Sequence, residues 1–179
     1  MVKRLHFNEY LDTIGDSMMA LIDFLNYKFD KCTNVVDGNH YIRLYGVLSA
    51  AYINMAAILN LVHLVKIKNK SLHEDLKNSK IIFLRNAIAA HPTNFSEAAD
   101  IVNYKVVRSS LNEQGRLKLI DYQNNSVQYD LVSAINEYIK LIDIILFDIC
   151  TNLVRMRYGF SNEKMECLEK SLQKIKGSK

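Results

Sequence analysis

A chain of 179 residues that holds one proline, Pro92, and only six glycines offers few places where a helix is obliged to stop. Proline breaks a helix interior outright and glycine weakens it by about 1 kcal/mol, so their scarcity predicts long helices. Hydrophobic residues make up 49% of the chain and charged residues 23%, which is enough apolar material to bury a core without a metal or disulfide staple. The length suits one domain over residues 1–179. Cys32, Cys150 and Cys167 are odd in number, widely spaced and without a Cys-x-x-Cys pair. That usage points to reduced thiols and a cytoplasmic protein. The stretch from Met1 to Glu9 lacks the apolar run of a secretory signal, in keeping with the same expectation.

The apolar spacing places the helices. Leu11, Ile14, Met18, Leu21, Leu25 and Phe29 recur at steps of three and four, predicting a first helix over about 9–29. Lys31 to Asn39, with Asp37 and Gly38, reads as a loop. A second helix, from about His40 to Lys66, is apolar nearly all round and therefore central. Its 22 residues between Arg43 and Lys66 carry no Asp, Glu, Lys or Arg and are long enough to span a bilayer. Ser49, Asn54, Asn60 and His63 interrupt them, which favours a buried helix over a membrane span. A third helix is expected from Ser71, its N-cap, with Glu74 completing a capping box, to Pro92.

The period then changes. Val102 to Ser109 is rich in β-branched residues, Arg116 to Leu119 alternates, and Asn112-Glu113-Gln114-Gly115 lies between them. This predicts a β-hairpin over about 102–122, inserted into the bundle. From about Ser126 a long helix returns, with Leu131, Ile135, Tyr138, Ile142, Ile145, Ile149 and Leu153 on one seam. Gly159 ends it, and a last helix carries Met165, Leu168, Leu172 and Ile175 behind an N-cap at Ser161. The expectation is an all-α antiparallel bundle of four to five helices decorated by one hairpin.

Few residues offer chemistry. The histidines show no metal-ligand spacing, and there is no glycine-rich phosphate loop and no Gly-x-Ser-x-Gly turn, so neither a metal nor another cofactor is expected. His63 reads as a core or bundle-lining residue, and His6, His40 and His73 as solvated ones near element ends. His91 differs by its company. Arg85, Asn86 and His91 gather at the end of a predicted helix whose other residues are small and apolar. Six residues along a helix leave two side chains about 120° apart, but Pro92 frees His91 from the last turn, letting its ring swing toward Arg85. The bland alternative has Arg85 and Asn86 solvated and His91 only completing the helix terminus.

The segment Leu84-Arg85-Asn86-Ala87-Ile88-Ala89-Ala90-His91-Pro92 resembles the signature of the HEPN superfamily, an Arg and a His four to six residues apart with a polar residue after the Arg. The expected bundle with an insertion is similar to that family's architecture. The resemblance implies a metal-independent endoribonuclease acting as a homodimer, with Arg85, Asn86 and His91 as its catalytic residues. It further implies service as a toxin or anti-phage effector, with a nucleotidyltransferase-type antitoxin as one kind of partner. An inactive helical module that dimerises, or that binds RNA or protein, is the alternative within the same resemblance. Lys105, Arg108, Arg116 and Lys118 on the hairpin are candidate RNA contacts, since basic strands can follow a phosphate backbone. A charged strand edge that prevents aggregation explains them equally well.

Overall fold

The second helix organises the molecule, a computed structural model that describes residues 2–27, 38–67, 69–88, 104–107, 110–111, 115–121 and 123–158, with Glu163, Glu166, Cys167, Lys170, Ser171 and Lys174 beyond them. The helices are α1 (Val2–Asn26), α2 (Gly38–Val65), α3 (Lys70–Lys77), α4 (Lys80–Ile88) and α5 (Leu131–Tyr158), and the strands are β1 (Lys105–Val106), β2 (Arg116–Ile120) and β3 (Ser126–Asp130). The fold is therefore mainly α with a small antiparallel sheet. The central helix α2 touches each of the other four helices. Leu44, Leu48, Ala51, Ile58 and Leu61 on it are fully buried. The predicted seam of α5 is found: Leu131, Ile135, Tyr138, Ile142, Ile145 and Ile149 all face the core.

The directions of the helices depart from the expected antiparallel bundle. On α1 and α2, Asp23 pairs with Arg43 and Ser17 with Asn54, so these two helices run antiparallel. On α2 and α5, Tyr138 bonds Ala51 while Asn152 bonds Val65, so this pair runs parallel. A parallel pair needs a long crossover, and α3, α4 and the sheet supply it.

Polar groups fix how the three long helices meet. Asn54 is fully buried, and its amide nitrogen donates to Ser17 Oγ at 2.9 Å and to the Ile14 carbonyl at 3.3 Å. The Tyr138 hydroxyl donates to the Ala51 carbonyl at 3.0 Å and reaches Asn54 Oδ1 at 3.3 Å. A buried polar atom is costly unless bonded, so this network holds α1, α2 and α5 in one register. The end of α2 is tied as well. Lys66 takes a left-handed φ of 61°, Lys66 N–H and Ile67 N–H return to the His63 and Val62 carbonyls, and Asn152 Nδ2 donates to the Val65 carbonyl at 2.9 Å.

Several expected boundaries move. The third helix is two helices, because at Asn78 and Ser79 the chain turns and the Ser79 hydroxyl takes the Leu76 carbonyl at 2.8 Å. Its N-cap is Asn69, whose side chain accepts from Leu72 N–H, and Ser71 only donates to Asn69. On α1, Leu11 is exposed while Ser17 and Phe24 are buried, so the inward stripe is rotated from the one expected. The hairpin is a three-stranded antiparallel sheet of order β1-β2-β3, and residues 126–130 are strand, not the start of the long helix. Asp121 makes that turn: its carboxylate accepts from Gln123 N–H, Asn125 N–H and Asn125 Nδ2, while Asn124 adopts φ 63°. Those bonds, the Asn125 side chain foremost, hold the Asp121 carboxyl below its ordinary range. Asp130 then caps α5, accepting from Ser133 N–H at 2.9 Å. Leu117 and Leu119 of β2 are buried and belong to the core, so the sheet is more than an outer decoration. Phe29, the turn 92–96, Gly159, Ser161 and the apolar residues Met165, Leu168, Leu172 and Ile175 lie outside the described residues.

Candidate functional site

Arg85 sits in the last turn of α4, where a cation suits the helix dipole. The helix is anchored by Ile81, Ile82, Leu84 and Ile88, all buried. With those four turned inward, Arg85 emerges half-buried against α2 and Asn86 is exposed. The guanidinium lies over the Tyr52 ring, 3.8 Å from its centroid, and Nη1 donates to Asn86 Oδ1 at 3.0 Å. Stacking on an aromatic face consumes no N–H donor. One donor goes to Asn86, and the remaining ones have no partner among the described residues. An immobilised, partly desolvated guanidinium with free donors suits an anion such as a phosphate. His91 and Pro92 lie outside the described residues, as does Arg108.

Tyr52 is the site residue that spacing arguments miss. Tyr52 is 38% exposed in a helix whose other large apolar residues mostly turn inward. Sequence alone could have flagged it as a polar-tipped aromatic on the outer face of α2, but not as the support of Arg85.

The candidate basic strand residues form a separate group. In the register Lys105 lies opposite Ile120, Arg116 opposite Asp130 and Lys118 opposite Gln128, so Lys105, Arg116 and Lys118 share one face. Lys105 and Arg116 are exposed and Lys118 is half-buried. Leu117, opposite Tyr129, faces the other way into the core. That inner side meets α4 through Phe83, whose ring lies 6.1 Å from Tyr104 and 6.0 Å from Tyr129. Burial raises the Tyr129 hydroxyl above its ordinary pKa, with a smaller contribution from Tyr104. The basic face therefore points away from the side of the sheet on which α4 lies.

Three of the other four histidines differ from expectation. His63 is exposed near the end of α2, not core, because its position falls on the outward side of the helix. His40 is buried, and His73 is half-buried with Nε2 out of solvent and without a hydrogen-bond partner among the described residues. His6 is exposed and contacts Glu9 at 3.0 Å, as expected of a solvated residue. Among the described residues no three His, Cys, Asp or Glu side chains gather as a metal site would require. The helix α2 is long and apolar enough to cross a membrane, but 56% of its most apolar window is buried inside the protein. Comparison of the chain with models of protein families, with curated proteins and with solved structures found no match.

Proposed function

We propose that the protein is a metal-independent endoribonuclease of the HEPN type that acts as a cytoplasmic homodimer. The observation that carries this reading is Arg85: a guanidinium seated on Tyr52, held by Asn86, with donors left for an anion, followed six residues on by His91 and Pro92. In the proposed reaction Arg85 binds the scissile phosphate and stabilises the charge that builds on it. His91 acts as the general acid or base, since an imidazole can give or take a proton near neutral pH. The RNA's own 2′-oxygen attacks phosphorus as its proton leaves, the bond to the 5′-oxygen breaks, and that oxygen takes up a proton. The products are a 2′,3′-cyclic phosphate and a 5′-hydroxyl. Toxin or anti-phage action, with a nucleotidyltransferase-type antitoxin as partner, follows from the same family reading.

The test is cleavage of single-stranded RNA in EDTA by the purified protein, by His91→Ala and by Arg85→Lys. Activity in the parent that is lost in both variants, with DNA left intact, supports the reading. Cleavage that needs added Mg²⁺, or that cuts DNA equally well, overturns the mechanism. A second reading, an inactive helical interaction module, is favoured by one feature: the Tyr52 contact already gives Arg85 a packing role. Absence of cleavage from a folded parent would select it.

A further inference from the structure

Packing accounts for only part of Phe83. It is the one large apolar residue of α4 that is not buried, and 42% of it stays exposed. Its ring meets Tyr104 edge-on at 6.1 Å and Tyr129 at a tilt at 6.0 Å between centroids. Both tyrosines are half-buried, so the ring is fixed from the sheet side while the rest of its surface is open. An aromatic surface already held in place loses little freedom when another flat group stacks on it.

Around the helix Asn86 falls between this ring and Arg85, about 60° from Phe83 and about 100° from Arg85. Phe83 and Asn86 are three residues apart, so they are neighbours on one face with Cβ atoms about 5–6 Å apart. The orientation of the Asn86 amide follows from its partner. Arg85 Nη1 donates to Asn86 Oδ1 at 3.0 Å, and a guanidinium has no acceptor, so the amide oxygen must be the atom that faces Arg85. That leaves Nδ2 with two N–H donors and no partner among the described residues, on a side chain exposed to solvent. An asparagine with both amide atoms available pairs with adenine, accepting from its amino group and donating to its ring nitrogen. With Oδ1 engaged by Arg85, Asn86 can only donate.

We infer that Phe83 and Asn86 form a nucleobase subsite beside the Arg85 phosphate contact, one that selects an unpaired base with a keto edge, uracil or guanine. The base stacks on Phe83, and Asn86 Nδ2 donates to O4 of uracil or O6 of guanine. Cytosine and adenine carry an amino group at that position, which would set donor against donor. A base inside a duplex has its faces covered by its neighbours, so only a single-stranded base can use the ring. The phosphate at Arg85 rests on the ribonuclease reading, but the choice of base rests on Phe83 and Asn86 alone and needs no cleavage to be observed.

The experiment uses the full chain. It holds no tryptophan, so Phe83→Trp places a single fluorescent reporter at the ring position. The probes are 2′-O-methyl hexamers of uridine and of cytidine, which differ at the edge to be read and have no free 2′-hydroxyl to attack phosphorus. Stacking should quench the tryptophan, and the uridine probe should do so at a concentration about 3- to 10-fold lower than the cytidine probe. Anisotropy of dye-labelled probes should give the same order for the parent. Phe83→Leu keeps an apolar contact for the two tyrosines but no flat ring, and should weaken the uridine probe at least about fivefold. Asn86→Asp replaces the donors by an acceptor and should invert the ratio toward cytidine, which a purely structural role for either residue would not do. Equal affinity for the two probes, binding of neither, a uridine affinity untouched by Phe83→Leu, or a ratio that survives Asn86→Asp would each overturn the inference. A uridine preference in a protein that cuts no RNA defeats the ribonuclease reading alone. RNA cleavage by a protein that shows none of these differences defeats the subsite alone.

Discussion

Tyr138→Phe isolates one hydroxyl in the core and tests the account of how the long helices are held. The ring stays, so apolar burial is unchanged and no cavity forms. What is lost is the donor to Asn54 Oδ1 at 3.3 Å and to the Ala51 carbonyl at 3.0 Å. The Ala51 carbonyl keeps its helical partner, but the Asn54 amide oxygen is left buried without a donor. Stranding one such atom costs about 1–3 kcal/mol, which for a domain of this size lowers Tm by roughly 4–8 °C at the middle of that range. Urea or thermal unfolding reads it directly. The double variant Tyr138→Phe/Asn54→Leu should recover most of the loss, because Ser17 Oγ still bonds the Thr13 and Ile14 carbonyls and no polar atom remains stranded.

The same hydroxyl gives a second readout in pH. Burial raises its pKa well above the ordinary 10. The unfolded chain therefore releases this proton from about pH 10 upward while the folded chain keeps it, so wild-type stability falls above pH 10 by up to about 1.4 kcal/mol per unit. Phenylalanine has no proton to release, so the stability gap between wild type and variant should narrow above pH 10. A single variant within about 0.5 kcal/mol of wild type at neutral pH, or a gap that stays constant through pH 11, would refute the reasoning.

Three further outcomes are expected. Gly115→Ala should cost about 2 kcal/mol, since Gly115 sits at φ +71° and a Cβ there would lie 2.9 Å from Val132 Cγ2; adding Val132→Ala should relieve the contact but not the backbone strain, so only partial recovery in urea unfolding is expected. Asp130→Ala should cost about 1 kcal/mol by removing the α5 cap, while Asp130→Asn keeps most of it, as thermal melts would show. In the RNA assay, Arg85→Lys should lower cleavage because an ammonium lacks the planar fork, and His91→Ala should lower it by about 10²–10⁴-fold with the melting curve unchanged.

What was legible in the sequence follows from how local each signal is. The α5 seam could be read because Leu131 to Ile149 repeats at one period over five turns and the core takes that whole face. Strand β3 was hidden because Val127 and Tyr129 alternate over only five residues and run straight into the helical pattern, while the turn that separates it from β2 depends on Asp121 bonding Asn125. Ser17 and Asn54 look like surface residues on their own helices. They are buried because each satisfies the other across the α1–α2 contact, a fact neither segment contains. The division of α3 from α4 likewise rests on local capping bonds, the N–H groups of Asn78 and Ser79 and the Ser79 hydroxyl returning to the Glu74 and Leu76 carbonyls.

The same reasoning explains why the motif could be found but its setting could not. Arg85, Asn86 and His91 are close in sequence, so their types and spacing are visible at once. The support of Arg85 comes from Tyr52, 33 residues earlier, and the contact exists only because the buried face of α4 packs on α2. That packing sets Arg85 beside the exposed side of α2 on which Tyr52 lies. The proposed phosphate contact therefore depends on a tertiary contact and not on the motif alone. Removing the ring with Tyr52→Ala should loosen Arg85 and lower cleavage, while Tyr52→Phe keeps an aromatic face under the guanidinium and should keep the activity.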